Sequence, residues 1–137
     1  MGKWSKKKAD VIKSTVYFLL QGESVVRIGY AESISKRLCT YAAHCGVPIR
    51  ILATATMTRA EELAIHARFR GASYYGEFYN ITPELISYIA SVRGRGESYT
   101  VADWMGSRIK RHAPNILDDD GWMSSYLREQ TGVALVV

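Results

Sequence analysis

Residues 15–30, which read TVYFLLQGESVVRIGY, decide how this chain begins to fold. Two β-branched and aromatic runs flank Gln21-Gly22-Glu23-Ser24, a pattern typical of a β-hairpin. A two-residue Gly22-Glu23 turn would pair Tyr17 with Ile28 and send Tyr17 and Arg27 to opposite faces. A three-residue loop that includes Ser24 would put both side chains on one face. The sequence leaves both registers open.

Helices and one more strand are predicted after the hairpin. Ser33 can cap a helix with apolar residues at helical spacing, and Ile49 to Met57 reads as a third strand. Thr58 and Glu61 form a capping box for the next helix, and Pro83 opens another at its first position. We therefore expect an α+β fold in the order β-β-α-β-α-α, with a small three-stranded antiparallel sheet flanked by helices.

The chain divides into three predicted parts: a basic N-terminal arm over residues 1–13, a domain over 14–93 and a helical C-terminal extension over 94–137. Arg93-Gly94-Arg95-Gly96 is interpreted as the linker. Asp118 to Asp120 can cap a helix that runs to about Gln130. Trp122 and Met123 on this helix are predicted to pack on the core or on another subunit, which would make a homodimer.

Positive charge is concentrated at the N-terminus, where residues 1–13 carry five lysines and one aspartate of a chain with net charge +5. Such an arm attracts phosphates through counterion release, although it can also act only as a solubilising terminus. The residues predicted to bind DNA are Lys6, Lys7 and Lys8 of the arm, with Arg108, Lys110 and Arg111 near the C-terminal end.

No apolar run approaches the roughly 18 residues that span a membrane, and no signal-peptide pattern is present. We expect a soluble, cytoplasmic protein without a membrane partner.

Chemistry-bearing side chains share faces on two predicted helices. Arg37, Tyr41 and His44 lie at i, i+4 and i+7, and Glu62 and His66 lie at i, i+4. Phosphodiester hydrolysis needs an activated water, positive charge on the phosphate and usually a metal held by a carboxylate. The two faces contain each of these components. Catalysis by Cys45 together with His44 is disfavoured, because these two neighbours on a helix point about 100° apart.

The residues 16–89 resemble the GIY-YIG nuclease family, in particular its phage and meiotically up-regulated branch. The resemblance is carried by Tyr17, Arg27-Ile28-Gly29, Arg37, Glu62-x-x-x-His66 and Gly76-Glu77-Phe78-Tyr79. It implies a divalent-metal-dependent endonuclease that hydrolyses phosphodiester bonds of DNA.

The resemblance also implies roles for single residues. Tyr17 matches the tyrosine that lies beside the attacking water, as general base or as its orienter. Arg37 matches the arginine that contacts the scissile phosphate. Glu62 matches the ligand of one Mg²⁺ or Mn²⁺ ion, and His66 matches the histidine that this branch carries one turn later.

Three positions depart from the family pattern. Arg27 stands where the second motif half begins with tyrosine, and it can neutralise the phosphate instead. Tyr30 stands where the family more commonly has a small hydroxyl residue. Ser73 stands where this branch often has an arginine. These departures support an alternative, a catalytically impaired, nuclease-derived module that binds DNA or protein.

Overall fold

The structure is a computed structural model, and it describes residues 13–32, 37–38, 40–41, 47–97 and 116–131. Several residues with predicted roles lie outside this part of the chain, and those roles stay predictions. They are Lys6, Lys7, Lys8, His44, Arg108, Lys110 and Arg111.

The predicted hairpin and third strand form the centre of the sheet. Strands β1 (Lys13–Gln21), β2 (Val25–Ala31) and β3 (Ile49–Thr58) are antiparallel, with β1 between the other two. Gln21 pairs with Val25, which leaves the three-residue loop Gly22-Glu23-Ser24. Tyr17 therefore pairs with Gly29, and the register with Tyr17 and Arg27 on one face is the one observed.

The sheet is larger than the predicted three strands. Three short strands, β4 (Ser73–Tyr75), β5 (Phe78–Asn80) and β6 (Ile116–Asp118), extend it to six in the order β4-β5-β2-β1-β3-β6. Strand β6 runs parallel to β3, so the sheet is mixed. The α+β class is confirmed, but the three-stranded antiparallel sheet is too small, because strands of three residues are too short to reveal a period of two.

Three helices have their ends fixed by side-chain caps. Helix α1 (Arg59–Arg68) begins at the predicted capping box, and α2 (Pro83–Val92) begins at Thr82, whose hydroxyl accepts from the Leu85 amide at 3.1 Å. Helix α3 (Trp122–Thr131) begins after Asp119, whose Oδ1 accepts from the Trp122 amide at 2.6 Å. None of the described helices is long and apolar enough to cross a membrane. Helical backbone is also found at residues 37, 38, 40 and 41, before β3.

The predicted linker after α2 is helical instead. Residues Arg93–Glu97 continue α2 as a π-helical turn, and Arg93 Nη1 donates to Oδ2 of the buried Asp119 at 2.7 Å. Two glycines weaken helical propensity, but this ion pair ties the turn to the start of α3. Residues 93–96 are thus helical, whereas the sequence predicted a break in regular structure there.

The two faces of the sheet bury different side chains. One face packs against the three helices and holds the main apolar core. Its sheet residues include Val16, Phe18, Val26 and Ile28, while Ile65 of α1 and Met123 of α3 pack on them. Met123 thus packs on the core of its own chain. The opposite face presents Tyr17, Arg27 and Gly29.

Candidate functional site

Tyr17 and Gly29 define the first part of the site. They are partners across β1 and β2, and the phenol ring of Tyr17 lies directly over Gly29. A Cβ atom at position 29 would stand 2.1 Å from both Cζ and the hydroxyl oxygen of Tyr17. Only glycine therefore leaves room for the ring, which gives a physical reason for the glycine in the Arg27-Ile28-Gly29 triplet.

Tyr41, Arg27 and Phe78 complete what we call the tyrosine cluster, together with Tyr17. The hydroxyls of Tyr17 and Tyr41 are hydrogen-bonded at 2.5 Å, and either can donate. The guanidinium carbon of Arg27 lies 3.9 Å from the centroid of the Tyr41 ring and 4.4 Å from that of the Phe78 ring. The cation is thus held between two aromatic faces.

Arg27 has no anionic partner among the described residues. Two buried carboxylates there have other partners: Glu62 pairs with Arg59 and His66, and Asp119 pairs with Arg93. The buried Nε of Arg27 also lacks a hydrogen-bond partner in this part of the chain. A buried donor without a partner is unfavourable by about 1–3 kcal/mol, so a ligand that accepts from Arg27 would be stabilised here.

Neighbouring charges act on the Tyr17 hydroxyl. Burial, followed by the hydrogen bond with Tyr41 and the charge of Glu77, raises the pKa of Tyr17 well above its ordinary value of 10.0. The exposed Arg37 lowers this pKa by a smaller amount, so its guanidinium lies within electrostatic range of the hydroxyl. The phenol of Tyr17 therefore stays protonated at neutral pH.

Glu62 is the centre of a second group, the carboxylate cluster, with Arg59, His66 and Tyr79. Its side chain is only 4% exposed, and both of its oxygens are engaged. Oε1 accepts from Nη1 of Arg59, and Oε2 accepts from Nε2 of His66. Glu62 and His66 are one helical turn apart on α1, as their spacing predicts.

Tyr79 holds the other side of the His66 ring. Its hydroxyl lies 2.5 Å from His66 Nδ1. With the Nε2 proton donated to Glu62, Nδ1 of a neutral imidazole accepts from the Tyr79 hydroxyl. Burial and then the charge of Glu62 raise the pKa of Tyr79 above its ordinary value of 10.0, which keeps this hydroxyl a donor. The cluster forms a continuous chain of hydrogen bonds from Tyr79 to Glu62.

The two clusters lie on opposite faces of the sheet and approach each other where β5 pairs with β2. Tyr79 pairs with Val26 on the core face, whereas Phe78 pairs with Arg27 on the other. Next to this pairing, the Glu77 carbonyl accepts a hydrogen bond from the amide of Ile28, the residue before Gly29, at 3.0 Å. The charge of Glu77 raises the pKa of both Tyr17 and Tyr79, so its carboxylate is within electrostatic range of both hydroxyls.

The predicted site residues are thus distributed over two groups. Tyr17 and Arg27 belong to one cluster with Arg37 in electrostatic range, and Glu62 and His66 belong to the other. Sequence reasoning missed Tyr79 as the partner of His66, and it missed Phe78 and Tyr41 as supports of Arg27. The aromatic content of residues 74–79 was the available signal, but only strand pairing assigns each ring to a face.

Glu62 can be tested as a metal ligand by its surroundings. A hard cation such as Mg²⁺ is often bound through one or two carboxylates, with water and substrate phosphate filling the other positions. No group of three or more His, Cys, Asp or Glu side chains comes together in the described part of the chain. Oε1 already faces one cation, the Arg59 guanidinium, whose side chain is 49% exposed. The residues therefore fit a single-carboxylate site in which the ion exchanges with Arg59.

Comparisons of this chain with protein-family models, with curated proteins and with solved structures found no match.

Proposed function

We propose that the tyrosine cluster and the carboxylate cluster together hydrolyse phosphodiester bonds. The observation that carries this proposal is the unneutralised guanidinium of Arg27, held beside the two hydroxyls of Tyr17 and Tyr41. Guanidinium groups form strong, charge-assisted hydrogen bonds with phosphate oxygens. A phosphate would therefore supply the partner that Arg27 lacks among the described residues.

Within this class of hydrolases, we propose a DNA endonuclease of the GIY-YIG type that depends on a divalent metal ion. The resemblance supports it, since Tyr17, Gly29 and Glu62 occur in the order of that family. The close fit of the Tyr17 ring over Gly29 explains why a tyrosine and a glycine occur together at these two positions. A net charge of +5 favours a polyanionic substrate.

Tyr17 orients the attacking water in this proposal, and the proton of that water passes to solvent and not to the phenol. The raised pKa of Tyr17, caused mainly by burial, keeps the phenol protonated. A protonated hydroxyl can still accept from a water molecule or donate to a phosphate oxygen. Arg27 and Arg37 bind the non-bridging oxygens and reduce the charge that the water must approach.

The carboxylate cluster acts on the leaving group. Glu62 would hold the divalent ion, which when bound would supply Lewis acidity at the leaving 3′ oxygen, and that oxygen would take a proton from solvent. His66 orients the Glu62 carboxylate through Nε2, and Tyr79 orients the imidazole through Nδ1. Arg59 would have to leave Oε1 of Glu62 for the ion to bind there.

Cleavage of supercoiled plasmid at low salt with Mg²⁺ or Mn²⁺ tests this function. Wild-type protein is expected to nick the plasmid, and Glu62→Gln or a chelator is expected to abolish nicking. Glu84→Gln, which neutralises an exposed carboxylate on α2, is the matched control and should cleave normally. Absence of nicking by folded wild-type protein, or unchanged nicking by Glu62→Gln, would contradict the proposal.

A second candidate function is a nuclease-derived module that binds DNA or protein without cutting it. It is favoured by one observation: both oxygens of Glu62 are engaged and its side chain is almost fully buried. In that case Arg59 acts as a permanent internal cation. The plasmid assay separates the two candidates, because a binding module nicks the plasmid in no variant, and a gel shift distinguishes a module that binds DNA from one that binds protein.

A further inference from the structure

Two neighbouring tyrosines on β4 lie in solvent. Tyr74 is 67% exposed and Tyr75 is 76% exposed, which makes them the most exposed large apolar side chains of the described residues. Within that part of the chain neither side chain has a hydrogen bond, an ion pair or a ring contact. A tyrosine normally buries much of its area, so an adjacent exposed pair indicates an interaction surface.

A β-bulge changes how these two side chains are presented. Ser73 pairs with Tyr79 and Tyr75 pairs with Phe78, so Tyr74 is an extra residue in β4. Regular strands send neighbouring side chains to opposite faces, and a bulge breaks this alternation. Gly76, with φ +54°, then closes the hairpin between β4 and β5 in a conformation that favours glycine.

This hairpin is attached beside the candidate site. The Glu77 carbonyl at its turn accepts from the Ile28 amide at 3.0 Å, and Ile28 precedes the glycine under the Tyr17 ring. Positive charge is present at the same end of the sheet. Arg70, just before β4, lowers the pKa of Tyr79 and is therefore within electrostatic range of its hydroxyl.

We propose that Tyr74 and Tyr75 form a stacking platform for unpaired nucleotides of the strand whose phosphate is bound at Arg27. This inference rests on the proposed function, and it names the substrate as nucleic acid with unpaired bases next to the bound phosphate. Aromatic side chains stack on bases of any sequence once those bases are free of the duplex. Arg27 and Arg70 supply the positive charge that a nucleic-acid strand requires and that an apolar protein partner does not.

The test compares the binding of a labelled oligothymidylate and of a fully paired duplex, by fluorescence anisotropy in the presence of a chelator. Tyr74→Ala and Tyr75→Ala are each expected to raise the Kd for the single strand about tenfold, within the range for base stacking on an aromatic side chain. Both variants should bind the duplex with unchanged affinity. Tyr74→Phe and Tyr75→Phe keep the ring and should bind like wild type.

Leu63→Ala is the matched control, since Leu63 is 51% exposed on α1 and should not affect either Kd. Circular dichroism establishes that each variant is folded. Unchanged single-strand affinity in both alanine variants, an equal loss on the duplex, or no single-strand binding by wild type would each overturn the platform.

The chelator separates the failure of this inference from the failure of the proposed activity. A protein that never nicks plasmid but loses single-strand affinity in the alanine variants keeps the platform and loses the nuclease. A protein that nicks plasmid while the alanine variants bind the single strand like wild type keeps the nuclease and loses the platform.

Discussion

The tyrosine cluster and the carboxylate cluster occupy opposite faces of one sheet, and they differ in how completely their polar groups are satisfied. In the carboxylate cluster, both oxygens of Glu62 and both ring nitrogens of His66 have partners. In the tyrosine cluster, Arg27 has aromatic neighbours but no anion among the described residues, and its buried Nε has no acceptor there.

We propose from this difference that the tyrosine cluster is a binding surface and that the carboxylate cluster supports it. An unsatisfied buried donor lowers stability, so its retention is explained by a ligand that completes it. A saturated network instead fixes the orientation of its members. We therefore propose that the tyrosine cluster binds phosphate, and that Glu62 of the carboxylate cluster can take another partner only when Arg59 leaves it.

Gly29→Ala is the substitution expected to break the tyrosine cluster most strongly. The new methyl group would overlap the Tyr17 ring, which cannot move without losing its hydrogen bond to Tyr41. We expect a loss of about 1–3 kcal/mol in the free energy of unfolding, measured by urea denaturation. The carboxylate cluster does not touch Gly29 and should be affected only through stability.

Gly71→Ala provides the control for this prediction. An added Cβ at position 71 meets no atom within 4 Å, so the free energy of unfolding should stay nearly unchanged. At a strand position with free space, replacing glycine by alanine ordinarily raises the free energy of unfolding by about 0.5–1 kcal/mol, and Gly29 would show this gain if its Cβ met no obstacle. If Gly29→Ala stabilised the protein, the close approach of Tyr17 would be refuted.

Stability at alkaline pH compares the two faces through Tyr17 and Tyr79. Both have a pKa raised above 10.0, Tyr17 mainly by burial and then by its hydrogen bond to Tyr41, Tyr79 mainly by burial. A raised folded-state pKa contributes stability that is fully present below pH 10 and is lost as the pH rises further. Each such tyrosine should lower the free energy of unfolding by up to about 1.4 kcal/mol per pH unit above pH 10.

Tyr17→Phe should therefore make this alkaline loss shallower, measured by urea denaturation between pH 8 and pH 11. Tyr79→Phe should reduce the slope by a smaller amount, because fewer effects raise its pKa. An unchanged slope in Tyr17→Phe would mean that its hydroxyl ionises as easily in the folded protein as in the unfolded chain.

Arg59→Gln tests whether Glu62 of the carboxylate cluster binds a metal ion, and its expected effect is the smallest of the three. Removing the guanidinium from Oε1 of Glu62 should strengthen Mn²⁺ binding roughly fivefold, because the ion no longer competes with an internal cation. Isothermal titration calorimetry measures the affinity directly. Arg68→Gln is the control, since Arg68 is on the same helix as Arg59 but lies over the rings of Phe69 and Tyr88. Equal affinity in all three proteins would exclude Oε1 as the metal ligand.

Local patterns predicted the parts of the fold that local interactions determine. The hairpin, the third strand and the capping box of Thr58 and Glu61 depend on short stretches, and the structure contains all of them. The pairing of Glu62 with His66 also follows from spacing along one helix. These features needed no knowledge of distant contacts.

Features that depend on long-range pairing could not be predicted in the same way. Strands β4, β5 and β6 have three residues each; β5 and β6 pair with the longer strands β2 and β3, and β4 pairs with β5. Phe78 reaches Arg27 and Tyr79 reaches His66 because β5 pairs with β2 in one register. The π-helical turn at Arg93 is likewise tied to Asp119, 26 residues away.

The central claim, that both faces serve one reaction, is tested most directly by single-turnover cleavage of DNA with protein in excess and Mg²⁺ present. Tyr17→Phe and Glu62→Gln should each slow cleavage about 100-fold or more while DNA binding is retained. Tyr88→Phe, which removes a hydroxyl from α2, should cleave like wild type. A loss confined to the substitution on one face, with the other variant as fast as wild type, would contradict the account.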